Sequence, residues 1–222
     1  YSWVVCGLNS NTITECHNEQ YFSLKQLPKR IPPNPEITIY DESQIYPGLT
    51  LYCGSGGGGS GTLGIDKHGN ILWFLLNHKI IEITGNGNFV EVLNGRAMEL
   101  DREGNIVFIT PEYDADGNLY DFHHDISKTK NNTYFTYIRK YGSYACPKNC
   151  PKKVLRKNKD GIISWRGDLL VELNYLGDII WEYDLFEHIG VHNFNDYYIK
   201  KIKPRTGFTV DWTHSNEVFY DE

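Results

Sequence analysis

The sequence predicts an all-β chain: a partial β-propeller preceded by the remnant of a small β-sandwich or strand arm. Three observations carry that expectation. A turn sequence recurs, with Asp66-Lys67-His68-Gly69-Asn70-Ile71-Leu72-Trp73 returning as Asp101-Arg102-Glu103-Gly104-Asn105-Ile106-Val107-Phe108 and as Asn174-Tyr175-Leu176-Gly177-Asp178-Ile179-Ile180-Trp181. The composition suits strands and turns, because 16 Tyr, 10 Phe and 5 Trp stand against a single Met, alongside 21 Gly and 9 Pro. Helical periodicity is almost absent. Only Leu185 to Ile189 reads as a single helical turn, ended by Gly190.

Each copy of the repeat has the chemistry of a tight turn feeding a strand. The Asp caps the turn with its side chain, the Gly takes a positive φ, and β-branched then aromatic residues open the next strand. Weaker copies stand at Asp114 to Tyr120 and Asp160 to Ile163. The first two strong copies are 35 residues apart and the third follows 73 further on, near twice that interval. A sandwich gives no reason for one turn to return at a fixed interval, whereas propeller blades do. Strands are expected at Lys79 to Thr84, Phe89 to Leu93, Ala97 to Leu100, Ile106 to Thr110, Thr133 to Lys140, Asp168 to Leu173 and Ile179 to Asp184.

Residues 1–40 break the pattern. Apolar Tyr1 to Val5, a possible hairpin between Cys6 and Cys16, and alternating Tyr21 to Lys25 suggest the end of a small β domain. Leu27-Pro28-Lys29-Arg30-Ile31-Pro32-Pro33 then reads as an extended linker. Residues 41–222 are expected to hold the first blades. A blade needs about four strands and a ring about four to eight blades, so the chain supplies only part of a ring. Gly54-Ser55-Gly56-Gly57-Gly58-Gly59-Ser60-Gly61 has the composition of an inserted flexible linker. No Lys-Ser/Thr and helix follow it, as a phosphate loop requires.

A net charge of -6 argues against nucleic acid as a partner. The one basic run, Lys148 to Lys159, is broken by Pro and Asn and reads as a solvated loop. No apolar run approaches the roughly 18 to 20 residues of a membrane helix, no signal peptide opens the chain, and Tyr1 reads as a mature or trimmed terminus. Cys6 with Cys16 and Cys146 with Cys150 are expected as small-loop disulfides, leaving Cys53 alone. A zinc site at Cys146 and Cys150 lacks a second ligand pair, so no metal and no cofactor are expected. Asn131-Asn132-Thr133 is a glycosylation sequon, and with the cysteines it points to a secreted or otherwise oxidising compartment.

The candidate chemistry lies in histidines. His68, His78, His188 and His192 occupy turns or flanks and read as structural. His123-His124-Asp125 ends the apolar run Leu119 to Phe122. Adjacent strand residues point to opposite faces, so only one of the two imidazoles can face a central channel while the other faces the neighbouring blade. Asp211-Trp212-Thr213-His214-Ser215-Asn216 packs an acid, an indole, an imidazole and an amide into six residues. There Asp211 and Ser215 are placed to fix the His214 tautomer. A blade-closing Trp with hydrogen-bonded polar neighbours is the structural alternative.

In their order along the chain these features resemble the arylsulfotransferase family, the PAPS-independent arylsulfate sulfotransferases. The features are the Leu-Pro-rich linker, Pro47-Gly48-Leu49-Thr50-Leu51, the Asp-x-x-Gly-Asn turns, the His-His-Asp segment and the Asp-Trp-x-His-x-Asn segment. The resemblance implies a small immunoglobulin-like domain before a six-bladed propeller. It also implies sulfuryl transfer from a phenolic sulfate ester to a phenol acceptor through a sulfohistidine. His123 or His124 would match one sulfate-contacting histidine and His214 a second, with Asp211, Trp212 and Asn216 lining the substrate. In the family the nucleophilic histidine and the sulfate-binding arginine follow the Asp-Trp-x-His-x-Asn segment. Arg139, Arg166 and Arg205 lack the matching context, so the nucleophile is expected in a further segment or chain that completes the propeller. A secreted, non-catalytic propeller module for binding or assembly is the alternative.

Overall fold

A computed structural model describes residues 35–45, 48–55, 60–146, 152, 160–191 and 209–220 in full, and residues 2–3, 6–9, 12–16, 20–21, 56 and 59 by their backbone. The Leu27 to Pro33 linker, Cys150, nearly all of the basic run, His192 and Arg205 lie outside the described residues.

The chain is all-β and its sheets are predominantly antiparallel. Near the N-terminus, β1 (Ser2–Trp3), β2 (Cys6–Asn9), β3 (Thr12–Cys16) and β4 (Gln20–Tyr21) make two ladders, β1 with β4 and β2 with β3. The β2–β3 hairpin sets Cys6 opposite Cys16.

A three-stranded sheet follows, of β5 (Thr50–Gly56), β6 (Gly59–Ile65) and β7 (Ile71–Leu76). In the Gly/Ser run, expected as an inserted flexible linker, the described residues are paired strand: Gly54 lies opposite Gly61, Ser55 opposite Ser60 and Gly56 opposite Gly59. Cys53 and Thr62 are therefore direct cross-strand partners. Gly61 has a physical reason to lack a side chain, since a Cβ there would come 2.5 Å from the Leu75 carbonyl oxygen.

Next come two antiparallel meanders. The first is β8 (Glu82–Ile83), β9 (Phe89–Leu93), β10 (Arg96–Leu100) and β11 (Ile106–Ile109). The second is β12 (Phe122–Lys128), β13 (Tyr134–Ala145), β14 (Ile162–Leu173) and β15 (Ile179–Asp184). β8 is shorter than expected because side chains take the backbone donors of its first residues. Glu91 Oε2 accepts the Lys79 N–H at 2.8 Å, and Thr62 Oγ1 accepts that of Ile80 at 3.0 Å. The short helix α1 (Leu185–His188) is capped by Asp184, whose carboxylate accepts the Phe186 N–H at 2.8 Å. Finally β16 (Thr209–Asp211) pairs parallel to β14, beside the part of β14 that β15 leaves uncovered. The described strands form open sheets, and no closed ring is present among the described residues.

The recurring turns are near copies of one another. In each, the first residue's carboxylate or amide oxygen accepts the N–H groups two and four positions on, as Asp101 does from Glu103 at 3.0 Å and Asn105 at 2.8 Å. The same pairs of bonds occur at Asp66, Asp114 and Asn174. Gly69, Gly104, Gly117 and Gly177 take φ between 81° and 89° or close to it (82°, 87°, 81° and 89°). Two further turns use Thr in place of Asp. Thr84 Oγ1 accepts the Asn88 N–H at 3.0 Å, and Thr129 Oγ1 accepts those of Asn131 at 3.2 Å and Thr133 at 3.3 Å.

The two meanders pack face to face. Val90, Ala97 and Phe108 from the first meet Phe122, Ile126, Tyr134, Ile138, Val171 and Leu173 from the second in one buried cluster. Each Val, Ile, Leu and Phe side chain among them contributes about 1.5–3 kcal/mol on burial. A separate cluster of Ile163, Trp165, Phe186 and Val210 fills the space under α1 and β16. This second cluster fixes where the chain emerges after β16, and so positions the candidate site.

Candidate functional site

The site is built where the segment after β16 crosses a bulge in β12. Pairing along β12 and β13 runs regularly from Lys128 to Ile126, then skips, so that His123 lies opposite Tyr137 with His124 and Asp125 unpaired between. His124 absorbs the extra length in a left-handed conformation, φ 62°, which is uncommon for a residue with a side chain. A bulge of this kind re-aims side chains. The alternation expected of a regular strand would have sent the two imidazoles to opposite faces. Instead their ring centres are 4.9 Å apart, edge to face.

His214 completes the group from the other side. Its ring centre is 5.1 Å from that of His124, and it too is left-handed, φ 43°. The amide of Asn216 donates back to the His214 carbonyl at 3.1 Å and closes that turn. Asp211 holds the ring, with Oδ2 2.5 Å from Nδ1 of His214. The Asp211 carboxylate also receives the Arg166 guanidinium, Nε at 3.1 Å on one oxygen and Nη2 on the other. Arg166 thus belongs to the site although no motif marks it, because parallel pairing sets it directly opposite Asp211.

Two buried carboxylates hold the crossing segment down. Asp168, 2% exposed, accepts the Thr213 hydroxyl and the Ser215 N–H, each at 2.7 Å. Asp125 accepts the Val218 N–H at 2.7 Å, and the Tyr137 hydroxyl donates to the Glu217 carbonyl at 2.8 Å. Ser215 was expected to orient His214; its backbone is bound to Asp168 instead. His123, 6% exposed, has Nε2 3.0 Å from Asp168 Oδ1. That approach lacks hydrogen-bond alignment, and neither ring nitrogen has a hydrogen-bond partner.

Electrostatics separate the groups. Burial pushes the Asp168 carboxyl up, but His123, the Ser215 N–H and the Thr213 hydroxyl outweigh it and hold it well below the usual carboxylate range. For Asp211 burial is likewise outweighed, by Arg166 and His214. His124 is lowered, first by burial and then by the charges of His123, His214 and Arg139. A lowered imidazole is neutral at pH 7.

Of the other expected site residues, Trp212 is directed into the apolar cluster, stacked on Phe186 at 5.1 Å. Asn216 is exposed and near His214. Asn131 is exposed in a turn, and the neighbouring Thr133 hydroxyl donates to Glu172 at 2.7 Å. Cys146 is disulfide-bonded. Cys53 is a free thiol. Among the described residues no group of three or more His, Cys, Asp or Glu is arranged to hold a metal ion. No helix among them is long and apolar enough to cross a membrane.

The arylsulfotransferase (ASST) family model matches residues 38–222. No curated protein matches the chain. Among solved structures, a protein of unknown function from Bacteroides caccae is similar at 17% identity with a TM-score of 0.29, over 62% of this chain and 57% of that one. The chain therefore spans little more than half the length of that protein. The family match takes in the bulged histidine pair and the whole crossing segment, and on it the chain belongs to the arylsulfotransferase family.

Proposed function

We propose that this chain supplies a sulfate-contacting wall of an arylsulfate sulfotransferase, which moves a sulfuryl group from a phenolic sulfate ester to a phenol acceptor. The observation that carries this reading is the convergence of three imidazoles from two distant segments, with ring centres 4.9 Å and 5.1 Å apart in succession. His214, backed by Asp211, is suited to carry a proton and donate to a sulfate oxygen or a departing phenolate. His124, neutral and exposed, is suited to accept a hydrogen bond or a proton beside it. The two meanders and their repeated turns support a propeller whose channel these histidines line, with six blades when complete. The nucleophilic histidine then comes from a further blade or chain. A disulfide-bonded Cys146 and an exposed Asn131 support a secreted setting and glycosylation at that residue.

The test is incubation of the whole protein carrying this chain with 4-nitrophenyl sulfate and phenol in phosphate-free buffer. Transfer is expected, with a loss of about 100-fold or more in His214→Ala, as for removal of a positioned proton donor. No transfer by the unaltered protein, or full transfer by that variant, rejects the reading.

A further inference from the structure

We propose that Arg166 is a positioning residue for His214, acting through Asp211 in a relay that decides which nitrogen of the His214 ring bears the proton. The geometry is set by the fold. Arg166 and Asp211 are register partners in the parallel β14–β16 ladder, and the Trp212 N–H continues it onto the Arg166 carbonyl at 2.8 Å. The guanidinium therefore meets the carboxylate as a two-pronged fork, one prong on each oxygen, the arrangement that fixes a carboxylate plane best. Oδ2 of the clamped carboxylate then faces Nδ1 of His214 at 2.5 Å.

A carboxylate only accepts, so in the neutral ring Nδ1 must carry the hydrogen and Nε2 the lone pair. His214 is thereby prepared as a base at Nε2, and as an imidazolium stabilised by Asp211 once it has taken a proton. On the sulfuryl-transfer reading above, on which this step rests, the acceptor phenol's O–H proton passes to Nε2 and the bonding pair stays on the phenol oxygen. That oxygen forms its bond to sulfur as the bond from sulfur to the nucleophilic histidine breaks, with its pair returning to that ring. His214 ends the step protonated and gives the proton to the phenolate that departs from the next donor ester.

The charged and titratable groups around His214 come from every element that packs there. They are Asp211 on β16, Arg166 and Asp168 on β14, Arg139 and Tyr141 on β13, and His123 and His124 on β12. Of these, the carboxylate in direct contact is Asp211, and the cation clamping it is Arg166. The two act on the ring with opposite sign.

The experiment is nitrogen-15 NMR of the imidazoles in the folded chain, which reads the tautomer without turnover. The neutral His214 ring is expected as the Nδ1–H tautomer. Asp211→Asn is expected to mix the tautomers, since a side-chain amide offers a donor as well as an acceptor to Nδ1. Arg166→Met frees the carboxylate plane and weakens the tautomer preference, and Arg166→Lys restores only part of it. A neutral His214 found as the Nε2–H tautomer, or a tautomer preference that Asp211→Asn and Arg166→Met both leave in place, overturns the relay. Should these variants not fold, the tautomer of the unaltered chain decides the matter alone. Absence of sulfuryl transfer with the Nδ1–H tautomer intact would reject the functional reading and leave the relay standing.

Discussion

Asp168 accepts the Ser215 backbone N–H at 2.7 Å across 47 residues of sequence. The same carboxylate takes the Thr213 hydroxyl and faces His123, so one buried charge joins β14, the bulge of β12 and the crossing segment. His214 stands between two residues held by it. The placement of the imidazole cluster is thus set by a group that does not itself line it.

Asp168→Asn is expected to destabilise the chain by about 3 kcal/mol, since it removes charged acceptor bonds from a buried site. The carboxyl is held below its ordinary value, so its contribution is fully present above the unfolded pKa of about 3.9 and is lost as pH falls through the folded value. Urea unfolding at pH 7 and at pH 3 checks both statements. Equal stability of the two proteins at pH 7 would remove Asp168 as the anchor.

His124 gives the opposite kind of pH dependence. Its folded pKa is lowered by burial and by its cationic neighbours, so the unfolded chain binds the extra proton more readily. Stability is unpenalised above the unfolded value of about 6.5 and decreases as pH falls through that value towards the folded one. His124→Asn is expected to remove this slope between about pH 6.5 and pH 5. Asn tolerates the left-handed backbone, so fold and titration are separated. An unchanged slope would assign the dependence to other groups.

Much of the fold was legible because its turns are local. Asp66, Asp101, Asp114 and Asn174 each bond within four residues, and the strands at Phe89–Leu93 and Ile179–Asp184 fall where the sequence puts them. The Thr84 and Thr129 turns were missed because a hydroxyl replaces the carboxylate, though Thr84-Gly85-Asn86-Gly87-Asn88 keeps the Gly-Asn ending. The candidate histidines were legible as residue types. Their meeting was not, since it depends on a bulge whose left-handed residue is His124 and has no glycine to mark it. Arg166 was invisible for a different reason. Only the parallel β14–β16 pairing, spanning 45 residues, brings it to Asp211.

Gly167 marks the closest packing behind the site. A Cβ there would stand 2.9 Å from Phe186 Cζ and 3.2 Å from Trp212 Cε3, and both rings are held in the apolar cluster under α1. Gly167→Ala is expected to cost about 1–3 kcal/mol through overpacking and to displace Trp212, carrying His214 with it. Thermal unfolding reads the first effect and Trp fluorescence the second. A variant as stable as the parent would mean that the rings yield freely.

The Glu99 carboxylate, 0% exposed, accepts Lys128 Nζ at 2.6 Å, the Tyr134 hydroxyl at 2.5 Å and the Asn88 amide at 2.6 Å. Burial raises its pKa, yet these three partners, Lys128 foremost, bring it below the ordinary value. In the parent its contribution is therefore present above the unfolded value of about 4.3 and lost as pH falls through the folded value. Lys128→Met keeps the length of the stem and removes the cation, leaving a buried charge with two neutral donors. The loss is expected to be about 3–5 kcal/mol at pH 7. Burial then outweighs what remains, so the Glu99 pKa rises above its unfolded value and the folded variant takes up a proton. Its stability must increase as pH falls from 7 towards 5, where the parent's contribution from this group is flat. A denaturation series across that range reads the sign directly, and a variant whose deficit stays constant would show that Glu99 keeps its charge without Lys128.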